Sequence, residues 1–332
     1  MRATSLVERG IENLRSIECA EPVPGAGEVL VELRAASLNY RDLAVITGSY
    51  PVRFPLIPLS DGAGVVVTAG PGVRRVRVGE RVCPIYAPGW ISGAPSREAL
   101  DQALGGGSDG VLCDRMVVHE SAVVRVPEHL TDEEAATLPV AGVTAWSALR
   151  VAGLTAGHTV LIEGTGGVSL FALQLAKAAG ARVVVVTSGA DKARRAAEMG
   201  ADSTVDRSAS ADWGKDVLAA TGGQGVDIVV DVGGADSLPK ALQALRMGGS
   251  ISAVGLASGA LASLPLQMFV PKAANLRGVL VGSRNTFEEL NRVIAQHRLR
   301  PVIERTFRRD ELVAALKYFK EARQFGKIVL KY

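Results

Sequence analysis

Apolar positions alternate with polar ones in the first third of the chain and crowd into short unbroken runs after it. Residues 28–34 (EVLVELR) alternate at period two, as a strand with one buried face does. Residues 1–8 alternate weakly, and 62–69, 81–85, 116–120 and 122–126 predict further short strands, with Pro71-Gly72 and Gly79 as turn signals. Residues 86–110 are rich in Gly, Ala, Pro and Ser and show no periodicity; an irregular segment of that length is either a functional lid or a mobile loop. Near Pro127 the pattern changes. Thr131 is placed to cap a helix over 132–137, with Glu134 at the capping-box position. Apolar strands at Thr159–Glu163, 183–187, 227–232, 250–254 and 276–281 then alternate with helical patterns at 170–179, 192–199, 211–220 and 237–244. That alternation predicts an α/β domain with a doubly wound parallel sheet. Two amphipathic helices, at 287–297 and 309–321, and a strand at Lys327–Lys331 follow.

The segment 158–188 is the most specific. Its strand runs into Gly164, Thr165, Gly166, Gly167 and Val168, and a helical pattern with Leu170, Leu173 and Ala176 on one face follows. Strand, glycine turn and helix in that order predict a phosphate-binding turn. Glycines let a pyrophosphate approach the backbone, and the helix end offers free N–H groups and partial positive charge. Ser169 stands at the third glycine position of the GxGxxG fingerprint, where helix and strand pack closely. The alternative is a tight βα turn that binds nothing.

About twenty residues beyond the glycines the second strand ends in Thr187-Ser188-Gly189, with no acid to accept ribose hydroxyls. Lys192, Arg194 and Arg195 follow, and Lys177 lies on the preceding helix. A missing carboxylate with basic residues nearby favours a 2′-phosphate, hence NADP(H), with Ser188, Lys192 and Lys177 as candidate ligands. Asp191 leaves NAD(H) as the alternative.

Composition narrows the setting. A chain of 332 residues accommodates two domains, and a net charge of +3 is too small to argue for nucleic acid or a membrane surface. The uncharged stretch 248–271 is broken by Gly255, Gly259 and Pro265, which predicts a strand and loops rather than a membrane span. No charged-then-apolar leader opens the sequence, where Glu8 already stands, so a cytoplasmic protein is expected. Cys19, Cys83 and Cys113 are too scattered for a disulfide or metal framework, and His119, His129, His158 and His297 lack ligand spacing.

SLNYRD (37–42), LSDGAGVV (59–66), LPVAGVTAW (138–146) and GTGGVSLFALQLAKAAGA (164–181) resemble the medium-chain dehydrogenase/reductase superfamily, in its zinc-independent, quinone-oxidoreductase-like branch. The likeness covers essentially the whole chain. It implies a β-rich GroES-like catalytic domain over 1–126, completed by 283–332, and a Rossmann domain over 127–282. Zinc-dependent relatives carry Cys where this chain has Asn39, His-Glu where it has Ser60-Asp61, and Cys where it has Ala141. A catalytic zinc needs three protein ligands, so the resemblance implies no metal. It further implies cofactor contacts from Thr144, from Val232, Gly255 and Leu256 at strand ends, from Val281 and Ser283 at the nicotinamide end, and from Lys327, for which a plain strand-edge charge is the other reading. Arg284 is either a phosphate ligand or a domain-bridging ion pair.

The reaction implied is hydride transfer to an enone, enal or quinone, whose resulting anion needs a hydrogen-bond donor and a proton. Asn39 orients the nicotinamide, binds the substrate oxygen, or is a buried amide serving local backbone. Tyr50 is a donor to the developing oxyanion or an aromatic wall. Asp42 flanks the site and orients a neighbour or caps the local helix, while Arg41 is as readily a surface ion pair. A zinc-free alcohol or aldehyde oxidoreductase and a non-catalytic NADPH-binding protein are the competing functions. None of the five tyrosines has a lysine four residues on, which argues against a short-chain reductase. Relatives pair the strand at 276–281 across a two-fold axis, so a homodimer is implied.

Overall fold

The structure is a computed structural model that describes residues 1–256, 258–259 and 261–332. The chain divides into two units, Met1–Val143 with Val281–Tyr332, and Thr144–Leu280.

In the first unit, β1 (Arg2–Leu6) and β2 (Leu14–Glu18) form an antiparallel pair. β3 (Glu28–Ser37), β4 (Asp61–Ala69), β5 (Arg81–Pro84), β6 (Arg115–His119) and β7 (Val123–Arg125) belong to a larger sheet, with β4 and β6 both paired to β3. After β3 comes α1 (Tyr40–Thr47), which the periodicity did not announce. Asp42 Oδ2 accepts from Asn39 N at 2.9 Å at its start, and Gly48 ends it in the left-handed region. The 86–110 insert is a packed loop with one short helix, α2 (Arg97–Leu100), and buried Tyr86, Trp90 and Leu104. Arg41 reaches into it. Its Nη1 donates to Leu104 O at 2.8 Å, and its guanidinium lies over the rings of Tyr86 (5.1 Å) and Tyr50 (5.8 Å). Arg41 is therefore a largely buried anchor rather than a surface ion pair. α3 (Asp132–Ala135) carries the predicted capping box, with Glu134 N donating to Thr131 Oγ1 at 3.2 Å and Thr131 N to Glu134 Oε2 at 2.8 Å. It packs on β3 and β4, which is why the first unit continues past the predicted boundary at 126.

The second unit begins one residue into α4 (Val143–Val151) and holds β8 (Thr159–Glu163), α5 (Gly167–Ala178), β9 (Arg182–Thr187), α6 (Ala190–Glu198), β10 (Ser203–Asp206), α7 (Trp213–Ala220), β11 (Val226–Asp231), α8 (Leu238–Ala244), β12 (Leu245–Ala253), α9 (Leu266–Phe269) and β13 (Asn275–Gly278). All six strands are parallel, in the order β10-β9-β8-β11-β12-β13. This is the doubly wound order, growing outward from β8, and the class expected from the alternation. Leu161, Val184, Val229, Trp213 and Leu242 join strands and helices in one core.

The last stretch returns to the first unit with α10 (Arg284–His297), β14 (Ile303–Arg308), α11 (Leu312–Lys320) and β15 (Lys327–Lys331). β15 pairs antiparallel with β3, Val329 opposite Ser37. Two steps along that register, Lys327 faces Asn39. No helix among the described residues is long and apolar enough to cross a membrane.

Candidate active site

In the second unit the glycine turn is built as the sequence predicts. Gly164 sits at φ +72°, where an L side chain is strained, and its N–H donates to Val186 O at 2.6 Å. Gly166 differs. Its backbone is extended, with φ −78° and ψ −176°, and a Cβ built on it meets no neighbouring atom within 4 Å. The protein itself has no need of glycine there, whereas a ligand lying on the first turn of α5 would. Thr165 is buried, and Gly167 and Val168 open α5. Ser169 donates its hydroxyl to Glu163 O at 2.6 Å, so serine ties helix to strand where the fingerprint's glycine would only permit their approach. A Cβ on Gly255 would come within 2.2 Å of Val232 O, so the ends of β11 and β12 touch through backbone. Leu256 beside them is exposed, and Thr144 is buried near the start of α4.

β9 ends at buried Thr187, and exposed Ser188 follows it. Lys192 lies in the first turn of α6, partly buried and engaged in an interaction of its own. Lys177 is not a phosphate ligand. Ten residues beyond Gly167, it lies about 15 Å along the helix from the turn, and its amine pairs with Asp202 Oδ2 at 2.8 Å. Its charge suits a phosphate, but it sits at the wrong end of the helix. An acid that spacing from the glycines does not reach, Asp206 at the end of β10, braces the β9 turn; its Oδ1 accepts from Gly189 N (3.0 Å), Ser208 N (2.9 Å) and Ser208 Oγ (2.5 Å).

The first unit carries a fully buried polar cluster. Lys327 Nζ donates to Leu38 O at 2.7 Å and to Asn39 Oδ1 at 2.6 Å, and lies 3.8 Å from Asp61 Oδ2. At 4% exposure Lys327 is neither a strand-edge charge nor open to a cofactor phosphate, because β15 starts beneath the loop that leads into α1. An ammonium can only donate, so Asn39 must turn its oxygen to Lys327. The amide nitrogen is left buried without a well-formed hydrogen bond, though close enough to Asp61 to favour its charge. Asp42 accepts from Asn39 N, from Ser60 Oγ at 3.3 Å and from Arg41 Nη1 at 3.4 Å. It is a positioning residue for α1 and Asn39, and at 1% exposure no substrate reaches it. Burial pushes Asp61 up to about 6 against the pull of Lys327, and raises Asp42 against Arg41. Burial likewise lowers Lys327 against the pull of Asp61 and Asp42. Desolvation outweighs pairing on all three groups.

The positions matched to zinc ligands thus present an amide held by Lys327, a serine and a carboxylate facing the same lysine, and the methyl of Ala141. Among the described residues no group of three His, Cys, Asp or Glu could hold a metal. This donor set does not fit zinc.

Tyr50 is 45% exposed, and its hydroxyl makes no hydrogen bond among the described residues. Ser283 caps α10, with its Oγ accepting from Thr286 N at 3.3 Å, and Val281 is buried just before it. Arg284 donates to Ser121 O at 3.2 Å and lies 3.6 Å from Glu288. Both ties lie inside the first unit.

Comparison with known proteins decides the family. Residues 25–128 match the alcohol dehydrogenase GroES-like domain, and residues 167–296 match the zinc-binding dehydrogenase domain. A zinc-type alcohol dehydrogenase-like protein of Schizosaccharomyces pombe is 37% identical over 97% of this chain and 96% of its own length. The chain is a medium-chain dehydrogenase/reductase. An acryloyl-coenzyme A reductase of Metallosphaera sedula is 30% identical to it over 94% of this chain and 95% of its own length. A solved Sinorhizobium meliloti protein described as an alcohol dehydrogenase superposes with a TM-score of 0.94 at 36% identity, covering 100% of this chain and 98% of that one. Membership makes this medium-chain dehydrogenase/reductase an oxidoreductase that uses a nicotinamide cofactor.

Proposed function

We propose that this enzyme is an NADPH-dependent reductase of activated C=C bonds or quinones that works without a metal. The observation that carries the reaction class is the Lys327–Asn39–Asp61 cluster standing where zinc-dependent relatives keep their ligands. Without a Lewis acid an unactivated alcohol is a poor hydride donor, whereas an enone, enal or quinone is already polarised and needs only a donor at its oxygen. The acryloyl group in the name of one relative is a conjugated C=C of this kind.

When bound, NADPH supplies the hydride. Gly164, Thr165, Gly166, Gly167 and Val168 offer its pyrophosphate a turn at a helix N-terminus, with Ser188 and Lys192 toward the adenosine ribose. Thr144, Val232, Gly255, Leu256 and Val281 are the further proposed contacts. The preference for NADP(H) over NAD(H) is supported by the acid-free end of β9. Tyr50, with its exposed ring and unpartnered hydroxyl, is the proton and hydrogen-bond donor of choice. Tyr50→Phe lowers turnover about tenfold or more while cofactor affinity holds; unchanged turnover dismisses the role.

The alcohol dehydrogenase names of several relatives favour a second reading in which the substrate is an alcohol or aldehyde, and the lack of a zinc ligand set among the described residues makes that reading a zinc-free alcohol or aldehyde oxidoreductase. Following NADPH absorbance with a quinone, an enone and an aldehyde, with and without chelator, separates the two. Activity lost on chelation overturns the metal-free mechanism. Tight NADPH binding without turnover on a broad panel supports a binding protein instead.

A cytoplasmic homodimer is the proposed setting. β13 ends the parallel sheet with all four residues exposed, beside exposed Leu280, and an open strand edge of that kind pairs readily with a second copy. Light scattering at micromolar concentration gives twice the chain mass; a monomer contradicts this.

A further inference from the structure

Two carboxyl groups lie buried side by side at the carboxyl ends of β8 and β11, next to the glycine turn. Val230 pairs with Ile162, so the next step brings Asp231 alongside Glu163 with both side chains on the same face. Asp231 is 1% exposed and Glu163 2%. Asp231 Oδ1 accepts from Gly233 N at 2.8 Å, Gly234 N at 3.0 Å and Ser237 Oγ at 2.8 Å, the donor set of an ionised carboxylate. Glu163 has no such set. Its Oε1 is buried without a partner, and its Oε2 lies so close to Gly233 that a Cβ there would come within 2.7 Å of it. A charge in that position, beside a carboxylate that already takes three local donors, is poorly compensated.

We infer that Glu163 is a neutral acid hydrogen-bonded toward Asp231, and that its proton is thermodynamically linked to cofactor binding on the turn it precedes. The inference rests on the nicotinamide dinucleotide lying on residues 164–168. Burial first, and then the charge of Asp231, hold the Glu163 carboxyl well above the ordinary carboxylate range. Arg207, just past β10, pulls the other way, and the Ser237 hydroxyl also favours the charged form. From α5 the Ser169 hydroxyl is taken up by the Glu163 carbonyl; β9 sets apolar Val186 opposite. A bound pyrophosphate brings further negative charge close to Glu163 and so favours its protonated form. Affinity is therefore full while Glu163 keeps its proton and falls as pH rises through its titration, and in that range binding takes up as much as one proton per cofactor.

The experiment is a fluorescence titration with NADPH, and separately with NADH, from about pH 6 to about pH 10. Wild-type affinity falls about tenfold across the titration. Glu163→Gln binds like wild type at the acid end and shows no fall. Asp231→Asn keeps the oxygen that accepts from Gly233 and Gly234, and moves the fall to lower pH because it removes the charge holding the proton on its neighbour. Calorimetry of the unmodified protein in two buffers of different ionisation heat reports the proton uptake without any variant. A Glu163→Gln protein with the wild-type fall, or binding with no proton exchanged anywhere in the range, overturns the inference and leaves the cofactor site standing. Failure of both dinucleotides to bind at any pH overturns the cofactor reading, and this one with it.

Discussion

Lys327→Met destabilises the first unit by about 3–5 kcal/mol at neutral pH. The lysine is the cation of a cluster from which water is excluded. Asp61 is 0% exposed, and its carboxyl faces that ammonium. Taking the ammonium away leaves Asp61 charged with no counter-ion and frees Leu38 O and Asn39 Oδ1, two buried acceptors that both use Lys327. Asp61 can escape by taking up a proton, since burial already holds it up at about 6. The loss is therefore smaller near pH 5 than near pH 8, because protonation removes the orphaned charge. Lys327→Met combined with Asp61→Asn recovers much of the stability, as replacing both members of a buried pair is far cheaper than breaking it. Urea denaturation of the three proteins at two pH values is the check. A single variant within about 1 kcal/mol of wild type at neutral pH shows that Lys327 does not hold this cluster.

Gly166→Val costs about a hundredfold in dinucleotide affinity, about 2.7 kcal/mol, with folding stability changed by about 1 kcal/mol or less. The asymmetry is the point. The backbone at Gly166 is extended and the space over it is open, so the protein accommodates a side chain that a phosphate resting on the turn does not. Gly164→Val is the contrast, because its φ of +72° strains any L side chain and stability falls along with binding. Cofactor titration beside thermal unfolding separates the two. If Gly166→Val binds normally, the pyrophosphate lies elsewhere.

The β-rich front and the wound sheet were legible because their strands are either alternating or wholly apolar. β8 and β15 agree with their predicted bounds to the residue. β10 was not legible: its four residues, STVD, are all half-buried, and it sits at the sheet edge with a neighbour on one side only. α1 hid because its first turn is polar and its apolar face short. Lys327 could not be placed from sequence, since its meaning depends on Asn39 and Asp61, which come beside it only through the β15–β3 and β3–β4 pairings. Lys177 was open to correction from the sequence alone, because the rise per residue of a helix sets its distance from the glycines. The pairing of Glu163 with Asp231 required the strand order, which periodicity does not give.

Arg41 and the 86–110 insert are stitched together across 63 positions of chain by the bond to Leu104 O, and a Cβ on Gly106 would come within 2.5 Å of the same guanidinium. Any exchange of that loop between relatives, made to alter which molecules are accepted, is therefore not a self-contained cassette. A graft that omits position 41, or that adds bulk to the glycine tract, disturbs the start of α1 and with it Asn39, so the loop and the arginine must travel as one inherited unit.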